Sequence, residues 1–353
     1  MSSSISSSEW RRFFRLAAGT AVLAVAVVYA FVVLVDPFDI LPLSPPADRA
    51  PVASNARFAF PSLARSDRFD SAVFGTSTSR LLRPVVLNAE FGARFANLAM
   101  NAATAYEQSH LMAVFRAAHP DARVVLVGID IAYCVPGEIE EKFTPRVFPN
   151  WMYDGGRWRG YREMFNLYAV QEAGQEFGVL TGVKRQTYGS DGYTTFVPPD
   201  SQYDAARVAI HLHTEVPFVP PNALAGDPAT WHYPGIDRLL AELTALGPST
   251  RKIMFFVPYN HTLIPPPDSA GAAMWRECKQ RVAALATRIP NALAVDFMAP
   301  SPITSVDDNY WDGQHYRIAI ADRIARDLAA AERGEASADY RVLEVDGVDS
   351  ALR

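Results

Sequence analysis

The chain has 353 residues, a formal net charge of -5, 49% hydrophobic residues and 20% charged residues. The length leaves one large domain with insertions, or two domains, both open, and the apolar share is enough for a substantial core. An acidic balance without a Lys/Arg block beyond the N-terminus argues against a nucleic-acid binder.

At the N-terminus, Trp10, Arg11, Arg12 and Arg15 precede a run without charge from Leu16 to Val35. Such a run spans about 30 Å as a helix, the thickness of a bilayer's hydrocarbon core. The arginines are expected to stay in the cytoplasm, so that Asp36 and everything after it lie outside. The run is longer than a signal peptide's apolar region, and Val28-Tyr29-Ala30 is a poor cleavage site, so an uncleaved anchor is expected. The organisation that follows is a cytoplasmic segment 1–15, a single-pass inner-membrane anchor 16–35 and a periplasmic or otherwise extracytoplasmic domain. Residues 36–61, rich in proline, read as a stalk that supplies reach without a core. The globular domain is placed at 62–335 and a C-terminal tail at 336–353.

Within that domain the apolar run Ala72 to Phe74 reads as the end of a buried strand, broken at Gly75. Arg94 to Leu98 reads as a short second strand and Ala105 to Ala118 as a helix. Arg123 to Ile131 is nearly continuous apolar, as a strand buried on both faces requires. Gly235 to Leu246 is an amphipathic helix, Lys252 to Val257 a strand, Met274 to Arg288 a helix, Ala292 to Phe297 a strand, and Tyr316 to Arg333 a closing helix. This alternation predicts an α/β fold with a parallel sheet and helices on both faces.

The interval from about 136 to 234 breaks the rhythm and is too long for a simple loop. It reads as an insertion folding over the carboxyl ends of the strands. Its aromatics (Trp151, Tyr153, Trp158, Tyr161, Phe165, Tyr168) suit either sugar stacking or a small apolar core. Arg207 to His213 alternates like a strand and puts His211 and His213 on one face, without an acidic or thiol partner that would make them metal ligands. Cys134 and Cys278 are the two cysteines; a disulfide is permitted outside the cytoplasm, and buried free thiols are the plainer reading.

Two stretches carry chemistry. After the first strand, Gly75 delivers Thr76, Ser77, Thr78 and Ser79 to the carboxyl edge of the sheet, where ligands bind in open α/β folds. After the last strand, Asp312 and His315 stand three apart among turn residues. That spacing lets the carboxylate hold the imidazole Nδ1 while Nε2 faces a hydroxyl such as that of Ser77, the arrangement that activates a serine nucleophile. His261 ends the fourth strand and points to the same neighbourhood, as a substrate or supporting group or as an exposed loop histidine. Arg80, three residues after Ser77, is a partner for an anionic substrate group or Asp130, or a helix-surface arginine.

On these residues the chain resembles the SGNH (GDSL-like) hydrolase superfamily, and within it the membrane-anchored bacterial envelope branch related to the alginate O-acetylation proteins. Gly75-Thr76-Ser77 matches the family's first block, and Asp312-Gly313-Gln314-His315 its last. The resemblance implies a three-layer, flavodoxin-like sandwich and a serine esterase or O-acyltransferase without a cofactor or metal. It makes Ser77 the nucleophile, His315 the base and Asp312 the group that orients it. The second block has alanines, at Asn101-Ala102-Ala103, where the family has a glycine whose amide serves the oxyanion hole, and Ser77, Asn101, Ala102 and Asn97 are the candidates for that hole. The third block has Asp130 where the family has an asparagine. A neutral donor there is worth about 3 kcal/mol, whereas an ionised carboxylate repels an oxyanion. Asp130 alternatively holds a loop through backbone amides.

The substrate expected from the resemblance is an acylated envelope glycan or lipid-linked sugar. Transfer requires an acyl donor delivered across the membrane, and hence a multi-spanning partner. A catalytically silent module that binds a glycan or scaffolds an envelope assembly is the alternative.

Overall fold

A computed structural model of the chain describes residues 7–44, 49–218 and 226–344. Residues 1–6 of the expected cytoplasmic segment, 45–48 of the expected stalk, 219–225 of the insertion and 345–353 of the tail lie outside the described residues.

Helix α1 (Ser7–Val35) is long and apolar enough to cross a membrane. The stretch after it does not run free as a stalk. Phe38, Ile40, Leu41 and Ala53 are buried in the main core, and Asn55 caps helix α2 (Ala56–Leu63) by accepting the Arg57 amide. Proline limits the backbone of this stretch, but its Phe, Ile and Leu side chains still gain by leaving water, and that burial decides its course.

The domain's strands are β1 (Ser71–Phe74), β2 (Phe95–Asn97), β3 (Val124–Ile129), β4 (Arg251–Phe256), β5 (Ala292–Asp296) and β6 (Arg341–Val342). They form one sheet in the order β2-β1-β3-β4-β5-β6, parallel except for β6. Val73 lies opposite Asn97 on one side and Leu126 on the other. Every residue of β1, β2 and β3 is buried, which explains their apolar, unalternating sequences. Between the strands run α3 (Ser77–Arg80), α4 (Pro84–Phe91), α5 (Ala105–Ala118), α6 (Ile131–Cys134), α7 (Asn150–Tyr153), α8 (Gly160–Glu163), α9 (Leu167–Leu180), α10 (Ala205–Thr214), α11 (Pro234–Ala245), α12 (Ala270–Arg288) and α13 (Ile318–Glu332). Helix α5 starts at a capping box, with Thr104 and Glu107 each bonding the other's backbone amide. The long helices pack in two sets: α5 with α11 and α11 with α12, and α4 with α13.

Three expectations change. Arg207 to His213 is helical, within α10, because Asp204 caps the amides of Ala206 and Arg207 and Val208 and Leu212 bury one face four residues apart. His211 and His213 therefore project from different sides of that helix rather than sharing a strand face. The two cysteines are joined: Cys134 on α6 is bonded to Cys278 on α12. The tail contributes β6 to the sheet edge.

The insertion passes over the carboxyl end of the sheet in part. The Asp191 carbonyl accepts the Asn97 amide at 2.8 Å, and Arg317 holds Asp200 at 3.0 Å. In its other part α9 packs against α1, and the Tyr29 hydroxyl of α1 donates to the Tyr161 carbonyl of α8.

Candidate active site

Gly75 ends β1 with φ 145°, and a Cβ there would meet the Ser79 Oγ at 2.2 Å. Gly128 on β3 faces the same hydroxyl, at 1.8 Å from its would-be Cβ. Two missing side chains thus let α3 sit directly on the ends of β1 and β3, with Ser77 as its first residue. The second half of the site is a tight turn. Asp312 Oδ1 accepts the amides of Gln314 (2.9 Å) and His315 (2.7 Å), and the Trp311 amide donates to the His315 carbonyl at 2.8 Å. The next residue ties the two halves together, as the Tyr316 hydroxyl donates to the Thr78 carbonyl at 2.6 Å.

This scaffold joins Ser77, His315 and Asp312 into one hydrogen-bonded chain. His315 Nδ1 donates to Asp312 Oδ2 at 2.7 Å, which leaves Nε2 to accept the Ser77 hydroxyl at 2.8 Å. Burial works to raise the Asp312 carboxyl. The hydrogen bond and charge of His315 and the two turn amides outweigh it and hold the group below its ordinary value. The Phe196 ring packs at right angles to the imidazole, with centroids 5.1 Å apart. Such a chain can deprotonate a serine hydroxyl as it attacks an electrophilic carbon.

Ser77 opens on a cleft of about 390 Å³ lined by Ala102, Asp130, Ile131, Val135, Tyr259 and Gln314 among others. The Ser77 amide, first in its helix, and the Ala102 amide donate to no other described residue. Ala102 has φ 50°, a conformation for which glycine is the usual choice. A buried ion pair holds it there. Arg57 Nε donates to Glu107 Oε1 at 2.9 Å, and its Nη1 and Nη2 donate to the carbonyls of Asn101 (3.2 Å) and Ala102 (3.3 Å).

The other sequence candidates take different places. Asn97 is structural: its Nδ2 donates to the carbonyls of Ser79, Arg80 and Leu82, and its Oδ1 accepts the Ala99 amide. Asn101 lies beside the cleft and does not line it. Arg80 is buried, with its guanidinium over the Tyr188 ring at 5.0 Å, and faces neither the cleft nor Asp130. His261 is half-exposed and bonds Asp307 at 3.1 Å, while the preceding Asn260 amide donates to the Gly313 carbonyl at 2.9 Å and so steadies the turn of Asp312. None of the six insertion aromatics named above lines the cleft, although Phe218, from the same insertion, does. Trp151 is buried, Tyr153 and Tyr168 pack on the core, and Trp158 and Phe165 are exposed elsewhere.

Asp130 is 2% exposed and lines the cleft. It accepts the Ala132 amide at 2.9 Å, capping α6, and the hydroxyl of Thr76 beside Ser77. Burial pushes its carboxyl up to about 6, although the Thr76 hydroxyl and the Ala132 amide pull the other way. The disulfide fastens the α6 turn, which carries the cleft residues Ile131 and Ala132, to α12.

Glu215 escaped the sequence reading. It follows α10, and its Oε2 accepts the Gly313 amide at 2.9 Å, inside the Asp312–His315 turn. Burial and the nearby Asp312 charge raise its carboxyl. Nothing local in the sequence marks it, because its partner lies 98 residues away.

No protein-family model matches the chain, and no curated protein does.

Proposed function

We propose that the chain is a membrane-anchored serine esterase or O-acyltransferase of the SGNH-like kind, acting outside the cytoplasm on acyl esters of an envelope glycan. The observation that carries this reading is the Asp312–His315–Ser77 chain opening on a cleft. Ser77 attacks the acyl carbon as His315 takes its proton; His315 then returns that proton to the leaving alkoxide, and an acyl-serine remains. Water or a sugar hydroxyl, deprotonated in turn by His315, releases the acyl group, so hydrolysis and transfer use the same residues. The amides of Ser77 and Ala102 are the donors suited to the developing oxyanion.

The strand order, with β2 outside β1 and β3 to β5 on the other side, is the order of flavodoxin-like sheets. Together with the two helix sets it supports a three-layer sandwich. The arginines at the start of α1, ahead of its apolar run, and the Cys134–Cys278 disulfide support an anchor in the inner membrane with the domain in an oxidising compartment.

The test is cleavage of p-nitrophenyl acetate by the full chain in detergent. Ser77→Ala abolishes cleavage on this reading; cleavage at the parent rate contradicts it. A second reading, a glycan-binding module without turnover, draws on Asp130, whose carboxylate lines the same cleft. Glycan binding that survives Ser77→Ala and His315→Ala, in a protein that forms no acyl-enzyme, favours that reading.

A further inference from the structure

Helix α9 is inside out. Glu172 and Glu176 are buried on its inner face, Glu176 within 3.3 Å of Arg49, which also donates to the last carbonyl of α1 at Val35. Its outer face carries Leu167, Phe177 and Leu180, and Leu167 is 87% exposed. A helix in water places such groups the other way round, because exposing that much apolar surface loses the hydrophobic gain of folding.

The position of α9 explains the inversion. The Phe165 ring, just before α9, packs on Tyr29 with centroids 5.3 Å apart, and Phe177 packs on Phe31 at 5.7 Å. Tyr29 and Phe31 lie within the apolar run of α1 itself. Tyr29 is about 9 Å along the helix from Val35, and Ala24 is roughly 16 Å from it. An apolar groove of about 430 Å³ separates α1 from the start of α9, with Ala24, Val25 and Val28 on one wall and Met164, Phe165 and Leu167 on the other. The groove therefore reaches about halfway into a 30 Å hydrocarbon core. The two side chains on its wall that carry polar atoms are satisfied locally: Asn166 Oδ1 accepts the Ala169 amide and its Nδ2 donates to the Glu163 carbonyl, and the Tyr29 hydroxyl donates to the Tyr161 carbonyl. Just ahead stand an exposed Trp158 and the exposed Arg159 and Arg162, the residue types that sit at headgroup level.

We infer that α9 and the turn before it are embedded in the outer leaflet beside α1, with lipid acyl chains covering the Leu167–Leu180 face and entering the groove against α1. The domain is then seated in the bilayer at two places, α1 and α9, which fixes its tilt instead of leaving it on a flexible tether. This inference rests on α1 spanning the membrane and is independent of any chemistry at Ser77.

Both native cysteines are in the disulfide, so a single introduced cysteine takes a thiol-reactive, polarity-sensitive fluorophore. The full chain carrying Leu167→Cys or Leu180→Cys is labelled and reconstituted in phosphatidylcholine vesicles, with and without lipid brominated in mid-chain. Val22→Cys on α1 and Val85→Cys on α4 are the references, and both positions are exposed. The inference predicts that labels at 167, 180 and 22 shift to the blue and lose most of their emission to brominated lipid, whereas the label at 85 does neither. A label at 167 that behaves like the one at 85, while the one at 22 is quenched, overturns the inference and leaves the anchor standing. A label at 167 that is blue-shifted but unquenched means that protein, such as a second copy of the chain, covers the face, and also overturns it. An unquenched label at 22 removes the anchor and the inference together.

Discussion

The carboxyl edge of the sheet and the flank beside α1 are both built partly by the insertion, and they invert each other. At the edge an apolar sheet presents a polar chain, Asp312, His315 and Ser77, to a half-open cleft. At the flank, carboxylates turn inward and Leu167, Phe177 and Leu180 turn out. One stretch of chain thus meets two surroundings, and burial of charge alone does not locate chemistry. Glu107 and Glu176 are more buried than Asp312, yet their arginine partners make them structural.

The comparison predicts that breaking the polar chain at the edge acts chiefly on chemistry, whereas breaking a buried pair acts first on stability. Asp312→Asn is expected to have the largest effect, slowing ester cleavage about 10⁴-fold by favouring the wrong His315 tautomer, with a smaller loss of stability than Arg57→Leu as the check. Arg57→Leu strands Glu107 and is expected to cost about 3–5 kcal/mol in chemical denaturation. It also frees the Asn101 and Ala102 carbonyls.

Asp130 gives a smaller, pH-dependent effect. Its folded value of about 6 stands above the unfolded value of about 4. The folded chain then holds the extra proton, and stability falls as pH rises from about 4 to above 6. Asp130→Asn, which keeps an acceptor for the Ala132 amide, should flatten that fall by about 3 kcal/mol, measured by denaturation at both ends of the range. Leu167→Gln, on the exposed face of α9, should change stability in detergent by no more than about 0.5 kcal/mol. A large loss there would place Leu167 in a packed core and break the comparison.

The sheet was legible because its strands are short apolar runs between turn residues, and β3, buried at every position, was the clearest of them. Ser77 and the Asp312–His315 pair were legible because each follows a strand and the pair is local in sequence. What the sequence hid depends on contacts across the fold. The alternation at Arg207 to His213 is short enough to suit a strand or a helix, and the Asp204 cap that decides it is a single residue. Helix α4 has local marks of its own, Pro84 at its start and Gly92, left-handed, after its end. The role of Arg57, the contact of Glu215 with Gly313 and the cysteine pairing all join residues more than forty positions apart.

The most direct measurement is reaction of the full chain with a fluorophosphonate, followed by mapping of the modified residue by mass spectrometry. The account predicts one adduct, on Ser77, absent in His315→Ala, with Thr76, Thr78 and Ser79 unmodified. A folded protein that takes no adduct, or takes one that persists at the same rate in His315→Ala, contradicts it.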